Sequence, residues 1–387
     1  LLQAFLTSSE IEVTAICDVW EARRTAAINM CGGTPKGYAD YRECLEKAPL
    51  DAVVVASPPH WHALHALAVC AAGKDLYLEK PMTLHVNESL AVRDAVRRHG
   101  VISQVGTQIH AGDNYRRVVE LVRSGALGKV HTVRTLMVMN QGPEGIGRAQ
   151  EQAPFPGLDW DFWCGPGPMR PFNPLIVDGA YNHCSFMDYS GGWTPGMAPH
   201  ILDLPYWALE LGHPTRVSTM GGRFVIDDAG DIPDTQEVQF QYPGCTLTWS
   251  MSLVNSYGFD FQGAGGIARR LGIYFQGANA TLMSDYGEHR LVAEGDRFED
   301  SGQETEEIPG SPGHQQEWLN CIRSRNQPSC CVDYHYRIDV ACCLANLAYR
   351  LGRSVNFDPE AETIVDDKEA AALLSPVYRE PWHFPKG

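Results

Sequence analysis

Residues 52–82 read AVVVASPPHWHALHALAVCAAGKDLYLEKPM, and this stretch decides the fold class. Val53-Val54-Val55-Ala56 is a short continuous β-branched run, the pattern of a strand buried on both faces. Ser57-Pro58-Pro59 ends it, because proline lacks an amide donor and holds its predecessor extended. His62 to Ala72 then predicts a helix with Leu64, Leu67 and Ala68 on one face, closed by Gly73. Leu76-Tyr77-Leu78 predicts the next strand. Strand, helix, strand is the unit of a parallel sheet. Lys80 falls just past the second strand's carboxyl end, where open parallel sheets bind ligands. A lysine there is either a solvated loop residue or a catalytic one, and position alone does not separate the two.

The same alternation extends outward. It predicts strands at Ile11–Cys17 and Val101–Val105, and helices at Glu21–Met30, Tyr41–Lys47, Asn87–His99 and Tyr115–Arg123. The first strand ends at Asp18. An acid there in a dinucleotide fold binds both ribose hydroxyls of NAD and repels the 2′-phosphate of NADP. No arginine follows it immediately, which favours NAD over NADP. The competing reading is a cap for the Glu21 helix. A glycine-rich phosphate loop belongs about 20 residues before such an acid. Residues 1–17 contain no glycine, so the first strand and its G-x-G-x-x-G turn are expected upstream of Leu1, in a longer, N-terminally complete form.

From Val130 the pattern changes. Strands are predicted at Val130–Met139, Thr215–Val225, Thr235–Tyr242, Cys245–Leu253, Leu271–Gln276 and Ala280–Ser284, with late helices at Arg337–Leu351 and Asp366–Leu373. The Pro243-Gly244 turn makes this sheet largely antiparallel. The expected fold is therefore an α/β Rossmann-like nucleotide-binding domain, residues 1–125, followed by an α+β domain with a large, mostly antiparallel open sheet, residues 126–387. Leu247, Trp249 and Met251 share one strand face, which either forms a subunit interface or lies in the core.

Residues 157–207 are rich in Trp, Tyr, Pro and Gly, which suits either a sugar site or a packed cap. His200 follows Pro199, and Ile201-Leu202-Asp203 continue in helical register, so His200 is expected at a helix start with Asp203 on its face. A histidine there can take a proton from a substrate hydroxyl, or can simply line an interface. His60, His62 and His65 lack a nearby carboxylate or cysteine, and no metal is expected.

Composition bounds the rest. At 387 residues two domains are the prior, and 44% hydrophobic with 20% charged residues is globular. A formal charge of −16 argues against nucleic acid. No apolar run reaches the ~20 residues of a membrane span. The 12 cysteines form no C-x-x-C pair, which favours a reducing, cytoplasmic setting; a periplasmic one stays open because any export signal would lie upstream.

On Ser57-Pro58-Pro59-His60-Trp61-His62, Glu79-Lys80-Pro81, and Gly191-Gly192 with His200 and Asp203, the chain resembles the Gfo/Idh/MocA family of glucose-fructose oxidoreductase and inositol dehydrogenase. The resemblance implies NAD in the first domain and a sugar, glycoside or polyol against the second. It implies Lys80 and His200 as catalytic residues, and Asp18, Ser57, Pro58, His62, Glu79, Lys80 and Gln108 around the cofactor. Trp163, Tyr181, His183, Asp188, Tyr189 and Asp203 are the substrate-side candidates. It also implies a dimer or tetramer. One position departs from the family: Gly196 stands four residues before His200, where Asp or Asn is usual, and Asp188, Tyr189 or His183 are the possible replacements. Two other readings remain: an NAD-dependent glycosidase working by transient oxidation and elimination, and a non-catalytic sugar-binding paralogue.

Overall fold

The computed structural model describes residues 1–179, 181–256, 270–298 and 307–384. Strand β1 (Ala15–Cys17) pairs in parallel with β2 (Lys36–Tyr38). Strands β3 (Ala52–Val55), β4 (Asp75–Leu78) and β5 (Ser103–Val105) form a second parallel piece. Helices Glu21–Met30, His62–Ala71, Val86–His99 and Asp113–Arg123 lie between or after these strands, giving the Rossmann-like arrangement. Every residue of β4 is buried, and Leu76, Leu78 and Met82 share a cluster with Val55, Val69 and Val92. Among the described residues β1 and β3 do not pair with each other. A cavity of about 360 Å³ lies between them, with Ile16 and Cys17 on one side and Val53–Val55 on the other. Only Ala15–Cys17 of the expected Ile11–Cys17 strand pairs, because β2, which local pattern did not reveal, offers three partners.

Among the described residues the second sheet has nine strands. They are β6 (Val130–Val138), β7 (Arg216–Gly222), β8 (Thr235–Tyr242), β9 (Cys245–Ser252), β10 (Leu271–Gly277), β11 (Ala280–Ser284), β12 (His289–Ala293), β13 (Val355–Asp358) and β14 (Thr363–Ile364). Their order is β12-β11-β10-β6-β9-β8-β7-β13-β14. Among the described residues of this sheet, only β6 and β9 pair in parallel. Leu247, Trp249 and Met251 point into the core, at 0%, 0% and 1% exposure, so of the two readings of that face it is the buried one that the structure takes. They join Ile201, Leu202 and Leu204 of the long helix Trp193–Leu209. Thr246, Thr248 and Ser250 alternate with them and stay partly exposed.

The long helix corrects one expectation. It begins at Trp193 and contains Pro199 and Pro205, so His200 sits two turns inside it and not at its start. Late residues also return to the first region. Trp318 and Leu319 pack with Phe5, Tyr77 and Ile102, and the helix Val332–Leu351 places Val332 in the cluster of β3 and β4.

Candidate active site

The geometry around Lys80 is built from the ends of three parallel strands. After β3 the chain turns through Ser57 and Pro58 into a 3-10 turn, Pro59–Trp61. His62 ties that end to the next: its Nδ1 lies 2.6 Å from the Pro81 carbonyl and its Nε2 2.7 Å from the Ser57 carbonyl. After β4 come Glu79 and Lys80. Gln108 Nε2 donates to Glu79 Oε1 at 3.2 Å, and the Lys80 amide donates to Glu79 Oε2 at 3.2 Å. Gly106, just past β5, permits this packing, since a Cβ there would sit 2.7 Å from Glu79 Oε1. Burial raises the Glu79 pKa above the usual carboxylate range. Lys80 Nζ donates to the Gly196 carbonyl at 3.0 Å, across to the long helix. Behind the lysine, buried Asp339 accepts from Met82 N–H at 2.9 Å, Thr83 N–H at 3.1 Å, Thr83 Oγ1 at 2.8 Å and Ser89 Oγ at 2.7 Å. Asp339 thus fixes the backbone that follows Lys80-Pro81, a role no local motif revealed.

Two cavities meet at Ala56 and Ser57. The larger, described above, is also lined by Asp18, Arg23, Tyr41, Pro58, Trp61 and Trp163. Asp18 Oδ1 accepts from the Trp20 amide at 2.8 Å, while the helix Glu21–Met30 has Trp20 as its cap with no side-chain bond. Asp18 therefore turns the chain into the cavity and does not cap the helix; burial raises its pKa. The smaller cavity, about 150 Å³, is lined by His62, Glu79, Lys80, Tyr181, His183, Ser190 and Gly196 among others. Ser190 and the Gly196 carbonyl were not anticipated. Both flank the Gly191-Gly192 turn, where each glycine takes a positive φ (72° and 85°) before the helix.

Several substrate-side candidates lie elsewhere. Asp203 is fully buried; it accepts from His110 Nδ1 at 2.9 Å and from Tyr334 Oη at 2.7 Å, and does not line the cavity. Tyr189 is enclosed and donates its hydroxyl to the Pro168 carbonyl at 2.9 Å. Asp188 is paired with Arg170. Trp163 walls the larger cavity and stacks on Trp160 at 4.8 Å. Tyr181 and His183 are the two that share the small cavity with Lys80. His200 does not line it; its Nδ1 is enclosed without a partner, four residues along the helix from Gly196. Burial first, then the Lys80 charge, pushes the His200 pKa down to about 3. Burial, then His60, His62 and Lys80, does the same to His183, to about 3. Both rings are neutral near pH 7.

His110, Asp203 and Cys330 are the one group among the described residues whose ligand-type atoms lie within 4.8 Å of one another. Hydrogen bonds engage most of their atoms: Asp203 accepts from His110 Nδ1 and Tyr334 Oη, and Cys330 Sγ lies 2.8 Å from Thr107 Oγ1, while His110 Nε2 is buried with no partner among the described residues. The trio pins the long helix to the turn carrying Gln108.

Parallel strands with an acid and a lysine at their ends, beside cavities walled also by residues of the 162–196 segment, and a separate large mixed sheet define a two-region dehydrogenase-type fold. Residues 1–107 match the family model "Oxidoreductase family, NAD-binding Rossmann fold", and residues 295–384 match "Oxidoreductase family, C-terminal alpha/beta domain". The chain belongs to the Gfo/Idh/MocA oxidoreductase family, whose first domain binds NAD. Inositol 2-dehydrogenase/D-chiro-inositol 3-dehydrogenase of Lactiplantibacillus plantarum is 27% identical over 124 residues, 32% of this chain and 35% of that one. The chain spans about a third of the length of the curated relatives it matches. Two solved structures share the fold. GenD2 from gentamicin A biosynthesis, in complex with NAD, has a TM-score of 0.66 at 17% identity, covering 92% of each chain. Levoglucosan dehydrogenase, in complex with NADH and levoglucosan, has a TM-score of 0.60 at 16% identity, covering 89% of this chain and 90% of that one.

Proposed function

We propose that the protein is an NAD-dependent oxidoreductase acting on a hydroxyl of a sugar, glycoside or polyol, with residues 1–125 holding the cofactor and 126–387 the substrate. The observation that carries this reading is a pair of cavities that share Ala56 and Ser57, the larger lined by Asp18 and the smaller by Lys80, Tyr181 and His183. The residues present fit the ribose and nicotinamide ends of the cofactor, while no glycine stands before Asp18 to cradle the pyrophosphate. Asp18 would offer a carboxylate to the ribose, Ser57, Pro58 and His62 would hold the middle, and Glu79 and Lys80, with Gln108 behind Glu79, would hold the nicotinamide end. NAD+, when bound, accepts a hydride from the carbinol carbon. The Lys80 ammonium, steered by the Gly196 carbonyl, hydrogen-bonds the substrate oxygen and favours its alkoxide character. His200, four residues along the helix from Gly196 and outside the cavity lining, is the proton acceptor that the family resemblance implies, and the His200→Ala variant tests that role. The family's inositol dehydrogenases and the levoglucosan complex support the substrate class.

The twelve free cysteines support a cytoplasmic setting, and no described helix is long and apolar enough to cross a membrane. Association as a dimer or tetramer through the polar open face of the nine-stranded sheet completes the reading, and light scattering on the purified protein tests it. The functional test is an NAD-linked screen of sugars and inositols. Lys80→Ala and His200→Ala are each expected to lower kcat by roughly 10²-fold or more. Unchanged turnover in both variants would remove the assignment.

A further inference from the structure

The small cavity constrains the charge of its ligand. Besides histidines, its described ionisable lining residues are Glu79, Lys80, Tyr181 and Cys184, and burial keeps the Cys184 thiol protonated. Glu79 accepts from Gln108 and from the Lys80 amide, and Lys80 Nζ donates to the Gly196 carbonyl and, on the dehydrogenase reading, is engaged with the reacting oxygen. Both His62 nitrogens face backbone carbonyls. Arg170, on the neighbouring segment, is paired with Asp188 and Asp231. No described cation of the lining is therefore left for a carboxylate or phosphate on the ligand.

His183 remains. Its Nε2 has only a weak neighbour, Cys184 Sγ at 3.8 Å, and its Nδ1 has no hydrogen-bond partner among the described residues. Burial and the surrounding His60, His62, Lys80 and Arg23 keep the ring neutral. A neutral imidazole nitrogen accepts a hydrogen bond from a hydroxyl and cannot balance an anion. Gly196 provides no side chain opposite; a Cβ there would lie 4.0 Å from Cys184 Sγ, facing the 3-10 turn Asn182–Ser185 that carries His183. Tyr181, 61% exposed, forms the rim, where a ring can cover the apolar face of a pyranose.

We propose that this cleft selects an uncharged pyranose or cyclic polyol, with His183 accepting a hydrogen bond from a hydroxyl beside the reacting carbon and Tyr181 covering the ring. His183 is thus a substrate-binding residue that supplies the polar contact Gly196 lacks. The proposal rests on the dehydrogenase reading above.

The test measures NAD+ reduction by the wild-type protein on matched series: neutral pyranoses and inositols, the corresponding uronates, and the 6-phosphates. The neutral members are expected to show at least tenfold higher kcat/KM than their charged counterparts. His183→Ala is expected to raise the sugar KM at least tenfold with the KM for NAD unchanged. His183→Asn, which keeps an acceptor, should recover most of that, and His183→Arg should shift preference toward the uronate. A wild-type preference for uronate or phosphate, or an unchanged sugar KM in His183→Ala, overturns the proposal while the dehydrogenase reading stands. Absence of NAD+ reduction with every member overturns both. Circular dichroism checks each variant's fold; if His183→Ala is unfolded, the Asn and Arg variants decide.

Discussion

Asp18 stands at a strand end, where the proposed reading gives its one side chain the choice of cofactor. Its carboxylate holds a single backbone donor, from Trp20, and lines the larger cavity together with Arg23. Two ribose hydroxyls on a carboxylate make charge-assisted hydrogen bonds, each worth about 1.5–3 kcal/mol. Asp18→Ala is therefore expected to raise the KM for NAD tenfold or more. The KM for NADP should fall, because repulsion of the 2′-phosphate goes and Arg23 remains on the same wall. Initial rates with both cofactors and one sugar measure this; equal KM values for NAD in the two proteins would contradict it. The strand-end positions of Asp18 and Lys80 were legible in the sequence because where a strand stops is a local property. Asp203 was not. Its partners His110 and Tyr334 stand 93 and 131 residues away, so its burial depends on tertiary packing that helical register cannot report. Arg23 escaped for a smaller reason: it lies a helical turn beyond Asp18, and only the fold brings it to the cavity.

At the scale of elements, the lysine loop is held by a helix from the far end of the chain. Asp339, on Val332–Leu351, accepts two amides and two hydroxyls from Met82, Thr83 and Ser89. Asp339→Ala strands those two buried amides, at about 1–3 kcal/mol each, and frees the segment next to Lys80. The expected outcome is a loss of about 2–5 kcal/mol in urea unfolding together with a fall in kcat. Asp339→Asn keeps one acceptor oxygen and should lose less on both counts. If Asp339→Ala keeps kcat while losing stability, the helix supports the fold without steering the lysine. Which elements were legible follows from their surroundings. β8 and β11 match their expected limits because apolar and polar residues alternate across a half-buried sheet. β12 shows no such alternation, since this edge strand is exposed along most of its length. The start of Trp193–Leu209 was hidden by Pro195 and Pro199, residues that normally signal a boundary. Pro195 is tolerated because first-turn amides have no intrahelical acceptor, and Pro199 because the buried surroundings hold the helix across the missing bond.

Across the whole molecule, buried histidines tie stability to pH. His60, His314 and His335 are 5%, 3% and 0% exposed. Burial lowers each pKa from 6.5 to about 4. Between pH 6.5 and 4 the unfolded chain therefore binds protons at these sites that the folded chain refuses. Their contribution is fully present above pH 6.5 and is lost as pH falls toward 4, by up to about 1.4 kcal/mol per pH unit for each ring. Asp339 acts in the opposite sense. Burial raises its pKa from 3.8 to about 7, so the folded chain keeps a proton the unfolded chain lacks, and acidification favours the fold there. Three histidines outweigh one carboxyl, and His183 and His200, also lowered, add to them. The expected net loss is at least about 2 kcal/mol between pH 6.5 and 5.5. Urea unfolding at a series of pH values measures it. His335→Phe isolates one ring: both of its nitrogens are enclosed without partners, so an apolar replacement removes the proton-linked loss and no hydrogen bond. That variant should show a slope shallower by about one proton over the same range. A wild-type stability that stays level from pH 7 to 5 would mean that these rings gain protons in the folded protein as readily as in the unfolded one.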